Sequence, residues 1–294
     1  MKILFYGSMN IDHTYEVDHI VAPGETEASS AFRKSAGGKG ANQAAAFAKA
    51  AQGLGFDIFF AGKDGEDGTF IEDILKSYGI DTSFVARGEA TGHAFIQLDK
   101  NGQNSIIISG GGNTSITEAE IDGVLEHFGP GDILCMNNEI NLLGYLMDRA
   151  FEKGMKIVFN PSPITPALAQ LPLDKCHLLV VNEIEGKTLS GAESDAYTDI
   201  LSALAEKYPD CRIVLTAGSE GAYYAFREAK ACCPAKDTKA VDTTCAGDTF
   251  LGYFLASDLL GMDPESCLEI AAAAAAVTVS RHGAMESVPF RSEL

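Results

Sequence analysis

The sequence predicts an α/β protein in which helices cover a mostly parallel sheet. Six short apolar runs are continuous rather than alternating, as expected for strands that are buried on both faces. Segments of helix length lie between many of these runs, which is the βαβ pattern of a parallel sheet. The predicted strands are residues 3–6, 58–61, 133–136, 157–159, 178–181 and 213–216, and the predicted helices include 41–52, 70–78, 142–153 and 197–208.

Two stretches interrupt this pattern, at about residues 13–35 and 90–109. Both show local alternation of apolar and polar residues, and the second contains a predicted turn at Lys100, Asn101 and Gly102. They predict antiparallel strands outside the main sheet, which can meet in space as a small sheet over one edge of the core. No linker-like run divides the chain, so we expect a single domain over residues 1–294.

Composition and charge restrict the class of partner. The chain has 294 residues, of which 46% are hydrophobic and 21% charged, a balance typical of a globular protein with a sizeable core. The formal net charge of −19 argues against nucleic acid or an anionic membrane as a partner, because either would need clustered lysines and arginines. An anionic substrate would therefore need donors that are arranged locally.

The N-terminus lacks the apolar core of a signal peptide, and the longest apolar stretch, residues 271–277, is too short to span a bilayer. The seven cysteines form no CxxC pair and show no zinc-ligand spacing. We therefore expect a cytoplasmic protein with reduced thiols.

The stretch V-D-T-T-C-A-G-D-T-F, residues 241–250, predicts a helix that begins near Gly247. The first N–H groups of a helix have no intrahelical acceptor and lie at the positive end of its dipole, so they can bind an anion. Cys245, Ala246 and Gly247 would supply these donors, and Asp248 would hold a carboxylate beside the bound anion. The alternative is that D-T-T is only an N-capping device.

A polar cluster is predicted near the carboxyl ends of the strands, where open parallel sheets bind ligands. The motif G-G-K-G-A-N-Q, residues 37–43, is either an approach to a ligand by glycine backbone or a plain turn before an alanine-rich helix. With the residues after two strands it would offer paired donors and acceptors to a molecule with several hydroxyls. The members of this cluster are Asn10, Asp12, Lys39, Asn42 and Glu139.

Two further motifs are open to two interpretations each. N-E-I-E, residues 182–185, places a carboxylate where it could hold a hydrated Mg²⁺ beside nucleotide phosphates, or it is an N-cap with a capping-box Glu185. T-A-G-S-E-G, residues 216–221, is either a phosphate-wrapping loop or an ordinary turn between strands.

The order of six motifs resembles the ribokinase branch of the PfkB carbohydrate kinases, from residue 6 to residue 289. The motifs are G-S-M-N-I-D (7–12), G-G-K-G-A-N-Q (37–43), N-E-I-E (182–185), T-A-G-S-E-G (216–221), D-T-T-C-A-G-D-T-F (242–250) and R-H-G-A-M-E-S-V-P (281–289). The resemblance implies a ribokinase-like three-layer α/β/α core with a small β-sheet lid that also forms a homodimer contact. It also implies transfer of the γ-phosphoryl group of ATP to a sugar hydroxyl, most simply the 5-hydroxyl of D-ribose.

Site roles follow from the same resemblance. It implies that Asp248 is the catalytic base and that residues 245–247 form an anion hole. The implied sugar contacts are Asn10, Asp12, Gly38, Lys39, Asn42, Glu139 and Asp248, with lid residues such as His93 and Ile108 able to alter the choice of substrate. The implied nucleotide contacts are Asn182, Thr216, Ala217, Gly218, Ser219, Glu220, Gly221, Gly247 and Ala271, with Glu185 near the hydrated Mg²⁺.

A monovalent cation, usually K⁺, activates this family, and the resemblance implies a site for it behind the anion hole. The matching positions are Asp242, Thr244, Thr278, Arg281, Gly283 and Ser287. Three positions depart from the family pattern: Cys245 replaces a smaller residue, Tyr253 replaces a small one, and Ala271 stands where relatives often have a polar residue near adenine.

Two other classes of function remain open. The first is a related kinase for 2-deoxyribose, fructose, adenosine or pseudouridine, because the fold and anion hole are shared while sugar contacts vary. The second is a sugar or nucleotide sensor without activity, since a fold alone does not establish catalysis. A dinucleotide-dependent oxidoreductase is disfavoured because no G-x-G-x-x-G follows the first strand.

Overall fold

Nine strands form the main sheet of the computed structural model, which describes residues 1–294. Its order is β13-β12-β11-β10-β9-β8-β1-β4-β5, parallel from β11 to β5 and antiparallel at the other edge. The strands are β1 Lys2–Tyr6, β4 Asp57–Asp64, β5 Asp81–Arg87, β8 Ile133–Asn137, β9 Lys156–Asn160, β10 Cys176–Asn182, β11 Arg212–Thr216, β12 Ala222–Phe226 and β13 Ala229–Cys233. The predicted mostly parallel sheet is confirmed.

Helices cover both faces of this sheet, which gives the expected three layers. They are α1 Lys39–Ala50, α2 Thr69–Ser77, α3 Glu118–Leu125, α4 Leu143–Glu152, α5 Glu183–Ser190, α6 Tyr197–Lys207, α7 Ala246–Leu259 and α8 Pro264–Val279. Alternate residues of β1 enter two separate apolar cores, because successive side chains of a strand point to opposite faces. Phe5 packs against Phe47 of α1 in a core that also contains Leu251 of α7, whereas Leu4 lies with Leu146 of α4 in the core on the other face. Burial on both faces explains why the strands are continuous apolar runs.

The two inserts meet as a four-stranded sheet of order β3-β2-β6-β7, which is the predicted lid. Its strands are β2 Asn10–Val17, β3 Ala31–Gly37, β6 Gly92–Asp99 and β7 Asn104–Ser109. The expectation of antiparallel strands throughout is wrong in one place. The β2–β6 pair is parallel, because both strands leave the core at the same edge and run outward together from the pair Asn10 and Gly92.

Several elements were not predicted. Strand β5 contains only a short apolar stretch and lies at the sheet edge, and the hairpin of β12 and β13 extends the opposite edge. No helix is both long and apolar enough to cross a membrane.

Candidate active site

Glycines allow two chain segments to touch at the base of the site. The loop after β1 lies directly against the start of α1, where Ala41 N–H donates to Ser8 O (3.0 Å) and Gly40 N–H donates to Ser8 Oγ (3.2 Å). Gly38 has a φ of 91°, a left-handed conformation that L side chains rarely adopt. A Cβ atom on Gly40 would lie 2.5 Å from Ser8 N and 2.6 Å from the carbonyl carbon of Gly7. The motif therefore contains glycine for close backbone packing.

Substituting Gly40 by Ala is expected to lower the free energy of unfolding by about 1–3 kcal/mol, the typical cost of overpacking a tight core. The contacting atoms are backbone, so they cannot move aside as a flexible side chain would. Thermal unfolding monitored by circular dichroism measures the effect. Gly123→Ala is the matched control, because that glycine lies within α3 with open space around it, and we expect it to be neutral or slightly stabilising. Equal stability of the two variants would contradict the packing argument.

Glu139 joins this loop to the strand edge. Its Oε2 accepts from Ser8 Oγ (2.5 Å) and from Lys39 N–H (3.0 Å), although these residues are more than ninety positions away in the sequence. Burial raises the pKa of Glu139, and the bonds from Ser8 and Lys39 oppose that rise. The negative charge of Asp248, followed by that of Glu139, raises the pKa of the Lys39 ammonium against the effect of burial. The Lys39 side chain therefore stays positively charged among these carboxylates.

Asn113, which no motif indicated, holds the start of the lid. Its Oδ1 accepts from Met9 N–H (3.0 Å), and its Nδ2 donates to Met9 O (3.1 Å) and to Asn10 Oδ1 (2.8 Å). Asn10 therefore has its Nδ2 left to donate to a ligand. Gly37 leaves room for Asp12, since a Cβ there would lie 2.1 Å from Asp12 Oδ2.

The lid register places His93 and Ile108, the two lid residues expected to be able to alter the choice of substrate, on opposite faces of the lid sheet. Asp12 is paired with Ala94, and Ala94 with Ile108, so these three side chains share one face of the lid. His93 is paired with Ile11, one position out of phase, and lies on the opposite face. Ile108 shares the face of Asp12, whereas His93 does not.

Asp248 lies in the first turn of α7, beside α1. Its Oδ1 accepts from Gln43 Nε2 (3.0 Å), and its Oδ2 is 3.4 Å from Asn42 Nδ2. Asn42 Oδ1 is buried and has no partner, so this acceptor is free for a hydroxyl donor of a ligand. Of the predicted polar cluster, Asn42 thus lies beside Asp248, and the charges of Lys39 and Glu139 are close to it.

The turn before α7 has the predicted form. The helix begins at Ala246, and Cys245 precedes it with a φ of 66°, a left-handed conformation that is uncommon for a residue with a side chain. The N–H groups of Cys245, Gly247 and Asp248 have no acceptor within the protein, whereas Ala246 N–H has a long contact of 3.4 Å to Thr243 O. Free donors at a helix N-terminus are suited to an anion.

A cleft of about 690 Å³ opens on the other side of this turn. Its lining residues are Thr216, Gly218, Ser219, Gly221, Ala235, Lys236, Asp237, Thr238, Ala240, Thr243, Ala246, Gly247, Phe250, Ala272, Ala275, Ala276 and Val279. The volume lies in the range of sites for cofactor-sized ligands. The start of α7 therefore separates this cleft from the polar cluster around Asp248.

The cleft includes most but not all of the predicted nucleotide residues. Ala217 and Glu220 belong to the 216–221 turn but do not line the cleft, and that turn also connects β11 to the antiparallel β12. Ala271 is fully buried in the core and does not line the cleft, whereas Ala272 does, so a nucleotide contact by Ala271 stays a prediction.

Asn182 and Glu185 form the capping box of α5 and do not line the cleft. Glu185 Oε2 accepts from Asn182 N–H (2.9 Å), its Oε1 accepts from Asn182 Nδ2 (3.0 Å), and Asn182 Oδ1 accepts from Glu185 N–H (2.8 Å). The two residues thus form the capping box that the sequence allowed. Burial raises the pKa of Glu185.

Behind the anion-binding turn, two loops meet at Asp242. Its Oδ1 accepts from Thr244 N–H (2.9 Å) and its Oδ2 from Gly283 N–H (3.2 Å). Burial opposes ionisation of this carboxyl, but the bonds from Thr244 and Gly283 outweigh it and lower the pKa of Asp242. Thr278 lies near the start of α7, since its Oγ1 is 3.1 Å from the Oγ1 of Thr249 in the first turn of that helix.

The side chains of the other two residues predicted around the cation, Arg281 and Ser287, form their contacts within the C-terminal segment. Ser287 Oγ donates to Ala284 O (2.7 Å), and the Arg281 side chain pairs with Glu293 (2.8 Å). The Arg281 side chain is therefore directed to Glu293, and only its main-chain carbonyl is suited to a cation.

Comparison with known proteins agrees with this geometry. The chain matches the family described as pfkB family carbohydrate kinase over residues 1–291. It is 31% identical to the ribokinase of Haemophilus influenzae over 98% of this chain and 95% of that protein. It is also 31% identical to the deoxyribokinase of Salmonella typhi over 98% of this chain and 96% of that protein. The structure of Arabidopsis thaliana ribokinase complexed with ribose and ATP matches with a TM-score of 0.86 at 30% identity, covering 99% of this chain and 96% of that one.

The fold and site thus define a phosphotransferase that acts on a sugar hydroxyl. The chain belongs to the pfkB family of carbohydrate kinases.

Proposed function

We propose that the protein is a ribokinase that transfers the γ-phosphoryl group of ATP to the 5-hydroxyl of D-ribose, which gives D-ribose 5-phosphate and ADP. The observation that carries this proposal is the position of the α7 N-terminus between two compartments. Asp248 faces the polar cluster, whereas Ala246 and Gly247 line the cleft. A sugar in the cluster and ATP in the cleft would meet at the free N–H groups of this helix.

The proposed reaction uses the groups at this meeting point. Asp248 accepts the proton of the primary hydroxyl at Oδ2 as the hydroxyl oxygen attacks the γ-phosphorus in line, and the bond to the β–γ bridging oxygen breaks. The N–H groups of residues 245–247 and the Lys39 ammonium stabilise the negative charge on the transferring group. Phosphoryl transfer depends mainly on such alignment and charge stabilisation.

The choice of ribose rests on the donor and acceptor pattern of the cluster. Asn10 offers Nδ2, Asn42 offers a buried free Oδ1, and Asp12 and Asp248 offer carboxylate oxygens. A site built from such groups rejects a sugar that lacks a matching hydroxyl, because a buried polar atom is then left unpaired. The relatives include both ribokinases and deoxyribokinases, so 2-deoxyribose is the main alternative substrate.

The residues present fit the two metal ions of the proposal in different ways. Mg²⁺ would neutralise phosphate charge when bound. Both carboxylate oxygens of Glu185 already accept hydrogen bonds from Asn182, so Glu185 would contact a hydrated Mg²⁺ through its water ligands rather than directly. For K⁺, Asp242 fits as a half-buried anion that accepts from the 242–244 and 283–287 loops, whose oxygens are hard donors.

Sugar affinity is expected to fall as the pH is lowered below about 7. Burial, then the charges of Glu139 and Glu286, raises the pKa of Asp12 to about 7, so acid converts this hydroxyl acceptor to its protonated form. The dissociation constant for ribose should therefore rise toward tenfold per pH unit on the acid side, and change little above pH 8. Calorimetric titration from pH 5.5 to 8.5 measures this. Asp12→Asn removes the titrating group, so a pH dependence that persists in that variant would assign the effect to another residue.

We also propose a homodimer formed through the lid. Phe32, Phe95 and Ile107 lie on the same face of the lid sheet, and Ile107 is 65% exposed. A contiguous exposed apolar surface of this kind is typical of a protein contact. Ile107→Lys should convert a dimer into a monomer in light scattering at micromolar concentration, because it would bury an unpaired charge in the contact. A wild-type chain that remains monomeric would refute the proposal.

The experiment that tests the function is ADP release with ribose, 2-deoxyribose, fructose, adenosine and pseudouridine, each in K⁺ and in a large inert cation. We expect turnover with ribose that K⁺ increases. Turnover with another compound would overturn the substrate but retain the mechanism. Ribose binding without turnover would indicate a sensor, and equal rates in both cations would overturn the role of Asp242.

A further inference from the structure

Two hydrogen-bonded side-chain amides, Asn160 and Gln43, connect the main sheet to the carboxylate of Asp248. Gln43 is 1% exposed, and its Nε2 is 3.0 Å from Asp248 Oδ1 and 3.2 Å from Asn160 Oδ1. Asn160 lies at the end of β9, and its Nδ2 donates to Val180 O in β10 (2.9 Å). This series of hydrogen bonds therefore begins at a main-chain carbonyl of a buried strand and ends at the proposed base.

The direction of these hydrogen bonds is fixed by their starting point. A main-chain carbonyl can only accept, so Asn160 must direct its Nδ2 to Val180 and its Oδ1 to Gln43. Gln43 must then present its amino group to both neighbours, with one N–H for Asn160 and the other for Asp248. An exchange of the oxygen and nitrogen of either amide would place two acceptors against each other.

Close packing of two helices sets the distance at the end of this chain. A Cβ atom on Gly252 of α7 would lie 2.6 Å from Phe47 N and 2.7 Å from the carbonyl carbon of Ala46, both in α1. Gly252 is one helical turn after Asp248, and Phe47 is one turn after Gln43. The contact at Gly252 thus brings the Gln43 and Asp248 side chains within hydrogen-bond distance.

We propose that Gln43, oriented by Asn160, is a positioning residue that fixes the rotation of the Asp248 carboxylate. With Oδ1 held by Gln43, Oδ2 is the oxygen directed to Asn42 and to the sugar hydroxyl. This inference rests on the proposed function, in which Asp248 accepts the hydroxyl proton. Because proton transfer needs a defined donor-to-acceptor geometry, loss of this restraint affects turnover more than binding.

The test is steady-state kinetics of Gln43→Met, which keeps the length of the side chain but removes the donor. We expect kcat to fall by about 10-fold to 100-fold, the effect of a small misplacement of a reacting group. The KM values for sugar and ATP should stay within about twofold of wild type, a separation that a general loss of structure would not produce. Gln52→Met is the matched control, since Gln52 is exposed just beyond α1, and it should leave kcat unchanged.

Two further variants test the positioning role of Gln43 independently. Asn160→Ala removes the acceptor that orients Gln43 without changing the α1–α7 contact, and it should lower kcat in the same direction even if Gln43→Met folds poorly. Gln43→Met should add less than about twofold to the loss already caused by Asp248→Asn, because the restraint acts through that carboxylate. Equal losses in both backgrounds, or a full kcat in folded Gln43→Met and Asn160→Ala, would overturn the positioning role. A full kcat in Asp248→Asn alone would instead overturn the proposed base.

Discussion

Replacing Asp248 by Asn is expected to lower kcat by roughly 10²-fold to 10⁴-fold, the usual contribution of a general base. The change removes the proton acceptor but keeps the size of the side chain and one acceptor oxygen for Gln43. Sugar affinity should change by less than about tenfold, because Asn10, Asp12, Asn42 and Glu139 remain. Single-turnover measurement of the chemical step, with ribose affinity from calorimetry, separates the two quantities.

Asp263→Asn is the matched control for this prediction. Asp263 is an exposed N-cap of α8 whose Oδ1 accepts from Ser266 N–H, so it is a carboxylate at a helix start without a substrate beside it. We expect it to leave kcat at the wild-type value and to lower stability by about 1 kcal/mol or less. If Asp248→Asn also kept a wild-type kcat, the catalytic role of Asp248 would be disproved.

The central sheet was predictable because burial on both faces produces a simple pattern. Runs such as residues 133–136 and 178–181 are continuously apolar, since each side chain enters one of two cores. The edge strands β5 and β13, and β12 beside β13, lacked such a clear signal, because each contains partly exposed residues. The parallel β2–β6 pair was missed because local alternation indicates a strand but not its neighbour.

The site was predictable where the chemistry lies within a motif. The turn at 242–250 contains both the free N–H groups and Asp248, so its interpretation needed no distant contact. Gln43 and Asn113 were not assigned a role, because each acts through a partner far along the chain. Gln43 and Asp248 are 205 residues apart, and Asn113 and Asn10 are 103 apart.

The orientation of Ala271 was not predictable for a different reason. Residues 271–276 are six consecutive alanines, so the sequence contains no periodicity that could show which side of α8 faces the cleft. The packing of α8 against α7 decides this, and it places Ala272, Ala275 and Ala276 on the cleft wall.

Substituting Ala275 by Trp is expected to raise the KM for ATP by roughly 10²-fold, equivalent to about 3 kcal/mol of binding. Ala275 lies with Ala272, Ala276 and Val279 on the wall of the 690 Å³ cleft, so an indole there would occupy the space proposed for the nucleotide. Ribose affinity should stay within about twofold, because the polar cluster lies across the start of α7. The natural chain has no Trp, so the emission of the new indole also reports whether it lies in the cleft or in solvent.

Ala273→Trp is the matched control on the same helix, since Ala273 is partly exposed but does not line the cleft. An unchanged KM for ATP in Ala275→Trp, with the indole buried, would mean that the nucleotide binds elsewhere.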